Sequence, residues 1–115
     1  MKFEIRSKDL DKVYEATMQF VQILEEEYPK AKEEKLKKLE KSKIFKPTLK
    51  SKMMNAVPDE IVAITIKQDN VVIFQDSTYI PKIMVRFVRK KLENNLKKAI
   101  EKLSGLDDVE VKLIG

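Results

Sequence analysis

Residues 60–74 set two β-branched runs on either side of three turn-forming residues. Ile61-Val62-Ala63-Ile64-Thr65-Ile66 lies between Glu60 and Lys67. The run is too short for a core helix, so Glu60 to Lys67 reads as a strand. Gln68-Asp69-Asn70 supplies turn chemistry, because Asn and Asp tolerate positive φ, and Val71-Val72-Ile73-Phe74 resumes the β pattern. The two runs form an antiparallel hairpin in the middle of the chain.

The flanking segments follow the helical period. Ahead of the hairpin, Leu10, Val13, Tyr14, Thr17, Val21, Leu24 and Tyr28 recur at helical spacing, with Phe20 and Ile23 widening the stripe. Ser7 or Asp9 is placed to accept from the free N–H groups of that helix. Pro29 lacks the N–H that an interior helical position needs, so the helix is expected to kink or restart there and to run on, thinly apolar, to Lys43. Behind the hairpin, Ser77 or Thr78 is the expected cap and Pro81 suits a first turn. Val85, Val88, Leu92, Leu96, Ala99 and Leu103 then mark a second helix, with Met84, Phe87 and Ile100 beside them. Gly105 ends it, because glycine reaches the left-handed conformation without a Cβ clash.

Alternating Phe3 and Ile5 at the start, and Val109, Val111 and Leu113 at the end, add two short strands. The order strand, helix, two hairpin strands, helix, strand implies an α+β two-layer sandwich. It is the ferredoxin-like β-α-β-β-α-β order, an antiparallel sheet with helices on one face. That fold hosts many functions and carries none with it. A single domain over residues 1–115 is expected from the length. Residues 42–58, with Pro47, Pro58 and no regular period, read as a basic mobile loop within it.

Composition narrows the chemistry. The chain is 43% hydrophobic and 37% charged, enough apolar content to fold. It has no Cys and no His, which removes thiolate nucleophiles, the usual general base and the commonest metal ligands. Its two glycines cannot build a phosphate-binding glycine loop. A non-enzymatic protein is expected, with no cofactor and no metal. The lack of a long apolar run or a signal-like N-terminus points away from membranes and to the cytoplasm.

Charge is uneven. Residues 30–52 sum to +7 and residues 82–102 to +6, while the remaining three segments are each acidic. Lys41, Lys43, Lys46, Lys50 and Lys52 are therefore candidates for a flexible arm over phosphates, with Arg86, Arg89, Lys90 and Lys97 as a second contact surface for RNA or DNA. The plainer account is that the helix charges lie opposite the apolar stripe, where any soluble helix presents them. Aromatic side chains for base stacking are scarce, and Phe3 and Phe74 are assigned to the core. A binder of backbone or shape is thus favoured over a sequence reader.

Two weaker patterns complete the reading. Glu110 and Lys112 project from one face of the last strand, as in metal-dependent nucleases, and Asp76 or Asp59 would have to complete such a site. Met53-Met54 with Ala56-Val57 either tucks the loop onto the core or docks a protein partner. The alternative to nucleic-acid binding is accordingly a protein-interaction module, an adaptor, inhibitor or assembly subunit using a sheet edge or helix face; a homodimer falls within this class.

Overall fold

The Asp9 side chain accepts a hydrogen bond from the Lys12 backbone N–H at 3.2 Å and caps the first helix, α1, which runs from Leu10 to Lys41. In the computed structural model, which describes every residue except Tyr79, α1 passes through Pro29 without restarting. Contacts on either side of the proline hold it in place. Tyr28 donates to the Pro58 carbonyl, and Lys32 pairs with Asp59 at 2.9 Å. These tethers fasten the middle of α1 to the segment before the hairpin and offset the hydrogen bond that the proline removes.

The span expected to be a loop holds a second helix, α2, over Pro47–Asn55. Pro47 sits in its first turn, where the missing N–H would have no intrahelical partner anyway. Nine residues give only two helical turns, so Leu49 and Met53 are the whole of its apolar period. That is too little pattern to set it apart from a loop.

Four strands make the sheet: β1 Lys2–Arg6, β2 Ala63–Lys67, β3 Val72–Asp76 and β4 Glu110–Leu113. They lie in the order β2-β3-β1-β4, with every neighbouring pair antiparallel. The protein is therefore α+β, with a four-strand antiparallel sheet and three helices among the described residues. Register places Phe3 opposite both Phe74 and Leu113, and Ile5 opposite both Val72 and Val111, so these residues share one face. Against that face pack Val13, Ala16 and Thr17 of α1 and Leu96 and Ile100 of the last helix, α3, over Lys82–Ser104. Thr17 satisfies its buried hydroxyl by donating to the Val13 carbonyl at 2.6 Å.

Pro81 precedes α3 as its N-cap residue rather than lying in its first turn. Ser77, an expected cap, instead accepts the Val62 N–H on its hydroxyl and donates its own N–H to the Val62 carbonyl. Gly105 adopts φ 74° at the other end, as the sequence requires. The buried face of α3 is rotated from the expected stripe: Ile100 and Leu96 are buried, Val88 and Leu92 only half-buried, and Phe87 points outward.

A polar clasp closes the start of α1 onto β4. Asp108 accepts from the Lys8 backbone N–H at 2.7 Å and from the Ser7 hydroxyl at 2.8 Å. These bonds, the Lys8 one first, hold its carboxyl below the usual carboxylate range. A depressed carboxyl stabilises the fold above its unfolded pKa, about 3.9, and that contribution is lost as pH falls through the lower folded value. Asp108→Asn is expected to lower the melting temperature at neutral pH. The gap to the parent protein should narrow steadily in acid below about pH 4, as followed by circular dichroism. A gap independent of pH would show that the carboxylate charge plays no part.

Candidate functional site

The expected arm is part of a folded element. Lys41 lies in the last turn of α1, Lys43 in the short link, Lys46 at the N-cap of α2, and Lys50 and Lys52 within α2. Lys50 donates to the Glu40 carbonyl, which folds α2 back against the end of α1. Among the described residues none of these five lysines forms an ion pair. Lys41, Lys43, Lys46 and Lys52 are exposed, whereas the Lys50 ammonium is held on the Glu40 carbonyl.

The four expected residues of α3 divide into two pairs. Arg89 is engaged internally: its Nε meets Glu93 at 2.9 Å and its guanidinium donates to the Leu113 carbonyl. Lys97 faces Glu101 at 3.9 Å. Arg86 and Lys90 are exposed and without ion pairs among the described residues. Between them Phe87 is 75% exposed, with the Arg86 guanidinium 5.9 Å from its ring centroid, and Ile83 beside it is 72% exposed.

The apolar stripe alone sets Phe87 at the core margin. At 100° per residue it lies roughly 140° around the helix from Ile100, so its exposure follows when Ile100 is the centre of the buried face. The surface thus carries an aromatic ring stacked by a cation and flanked by a free lysine. Such a ring offers a π-face to a base, and the cations offer charge to phosphate.

The two basic segments meet across a groove. The space of about 490 Å³ between α1, α2 and α3 has an apolar floor from Leu39, Leu49, Met53, Met84 and Val88, and Lys35, Lys52 and Lys91 stand at its rim. Lys52 and Lys91 bring the charge of α2 beside that of α3. Met53, Ala56 and Val57 line this groove, so the apolar patch seen in the sequence forms a wall between helices rather than entering the core under the sheet.

Glu110 and Lys112 do share a strand face, and their partners across β1 explain them. Register sets Arg6 opposite Glu110 and Glu4 opposite Lys112, a ladder of opposite charges on the outer face of the sheet. Asp76 lies on the inner face, accepting from the Met1 amino group at 3.2 Å. Asp59 lies beside α1 on Lys32, which with its hydrogen bond holds the carboxyl below the usual range. The structure brings neither aspartate to Glu110 and Lys112. Among the described residues no three His, Cys, Asp or Glu side chains group as metal ligands, and no helix is long and apolar enough to cross a membrane.

Comparison of the chain with protein families, curated proteins and solved structures finds no match among them, so the geometry of its own residues carries the functional argument.

Proposed function

We propose that the protein is a small non-enzymatic module that binds the backbone of single-stranded RNA or DNA along the surface running from α2 to the outer face of α3. The carrying observation is Phe87, three-quarters exposed, with Arg86 over its ring and unpaired Lys90 alongside. Exposing a phenylalanine costs hydrophobic stabilisation, and one set among free cations matches a stacking platform beside an electrostatic track. Lys43, Lys46, Lys50 and Lys52 extend the track past the groove rim. We also read the scaffold as ferredoxin-like with α2 inserted between the first helix and the hairpin. The placement of β3 between β1 and β2, all antiparallel, supports that reading.

A salt titration of binding to mixed-sequence single-stranded RNA tests the function. Each lysine or arginine that neutralises a phosphate contributes about 0.7 to the slope of log affinity against log salt for single strands. Absence of binding at low salt refutes the proposal.

A second reading is favoured by one observation, the apolar floor of the groove. A floor of leucine, methionine and valine under a lysine rim fits the apolar face of an acidic amphipathic helix from a protein partner. Glutamate at Leu49 would also weaken phosphate binding, because Leu49 lies between Lys46 and Lys50, so the uncharged Leu49→Gln is the variant that separates the two readings: it should abolish capture of such a helix and leave the RNA salt slope unchanged.

A further inference from the structure

We infer that the protein forms a two-fold symmetric dimer in which the free edge of β2 pairs antiparallel with β2 of a second copy, in a register that sets Thr65 opposite Thr65. The two edges of the sheet are treated differently. At β4, the Ile114 N–H donates to the Lys2 carbonyl at 2.8 Å, so by alternation Val111 and Leu113 direct their backbone groups outward. Arg89 of α3 reaches over that edge and donates to the Leu113 carbonyl. An edge covered by a charged side chain is a poor template for another strand.

At β2 the same alternation leaves an open template. Ser77 donates to the Val62 carbonyl and Gln68 to the Val71 carbonyl, each at 2.9 Å, so residues 62, 64, 66 and 68 face β3. The backbone groups of Ala63, Thr65 and Lys67 then point to the free side. No described element pairs with them, and the strand contains no proline. Exposed edges of this kind are the ones that another strand joins.

Two features identify a second copy as the occupant. Pairing centred on Thr65 uses all three outward residues of each chain, with Thr65 exchanging both its bonds with its counterpart and Ala63 exchanging with Lys67. On the outer face Ile64 then meets Ile66 of the other copy. Both are close to half exposed in the single chain, at 47% and 45%, and they occupy the narrower pair type, where side chains approach most closely. Charges also match: Lys67 opposes Ala63, Glu60 opposes Asn70 and Asp69 opposes Ile61, so no like charges face each other.

The contact is isologous and consumes both β2 edges, while Arg89 covers both β4 edges, so the assembly closes at two copies. The chain has no cysteine, so a single introduced one reports the register. In nucleic-acid-free protein, sedimentation should give twice the chain mass. Mild oxidation should link Thr65→Cys into disulfide dimers, since Cα atoms in that pair type stand about 5.5 Å apart. Ile64→Cys, which opposes Ile66, should stay largely unlinked. Thr65→Pro removes only an outward N–H and should give half the mass with unchanged far-ultraviolet circular dichroism. If that variant loses its helical signal, the cysteine pair alone decides. A monomeric parent protein, equal linking of the two cysteine variants, or a dimer that survives Thr65→Pro would each overturn the proposal. Linking of Ile64→Cys alone would instead indicate packing between outer sheet faces.

Discussion

Truncation of Phe74 to alanine is expected to lower the free energy of unfolding by about 3 to 5 kcal/mol, the range for deleting a large buried aromatic side chain. Phe74 is 1% exposed and lies on β3, which is bonded to β1 on one side and to β2 on the other. Its ring stands 6.2 Å from Phe3 and meets Phe20 edge-on at 5.6 Å, so it joins both layers of the domain. Removing it leaves a cavity at the sheet-helix contact and deletes two aromatic pairs together. Domains of this size are stable by only about 5 to 15 kcal/mol, so the variant should be close to unfolding at moderate temperature. Urea denaturation followed by circular dichroism measures the loss. A change under about 1 kcal/mol would show that this contact does not carry the core. Leu92→Ala, at a half-buried position facing the groove, is expected to cost less.

Reversal of Lys43, Lys46, Lys50 and Lys52 to glutamate is expected to reduce affinity for mixed-sequence RNA by orders of magnitude. If all four contact phosphate, the salt slope should become shallower by about three. The four side chains are exposed or half-buried and none belongs to the buried cluster, so the fold should persist. Arg86→Glu with Lys90→Glu should produce a comparable fall from the other end of the surface. Phe87→Ala should weaken binding by about 1 to 3 kcal/mol with the salt slope unchanged, because stacking releases no counterions. Reversal of Lys2, Lys8 and Lys12 is the control and should do less, since those lysines sit in an acidic segment. Equal losses from every variant would reduce the effect to attraction by net charge and remove the case for a defined surface.

Features that one residue or one short pattern determines could be read without coordinates. Asp9 caps α1 because its carboxylate is placed for the free N–H groups. Gly105 ends α3 because only glycine takes φ 74° without strain. The hairpin follows from its β-branched runs, although Asp69 and Asn70 make the turn between them without the positive φ expected of them. The elements that escaped depend on partners distant in sequence. Continuity of α1 through Pro29 rests on Tyr28 and Lys32 reaching Pro58 and Asp59, about thirty residues away. α2 is too short to show a period, and its placement depends on a groove whose walls come from three segments.

The candidate site divides along the same line. Charge at Lys43, Lys46, Arg86 and Lys90 is visible as composition, because none of the four forms an ion pair among the described residues. The assignment of Arg89 to the β4 edge and of Lys97 to Glu101 is not, since pairing is a tertiary fact. Exposure of Phe87 followed from the rotation of α3 about its axis, which depends on whether Ile100 or Val88 points to the sheet.

The length of α1 has a consequence for how the molecule breathes. Of its 32 residues only Val13, Ala16 and Thr17 are buried, all within the first quarter of the helix, and α2 has no buried residue. The far part of α1 and α2 therefore lean on each other beyond the sheet core, secured by the tethers at Tyr28 and Lys32 and by the groove floor. Segments with so few buried contacts open locally at much lower free energy than the global unfolding step. Two tiers result, a sheet-helix core and an outer helical pair whose amides are expected to exchange ahead of those of the core. A ligand seated between those helices would act as the missing half of their packing, and its binding energy would appear first as slowed exchange there.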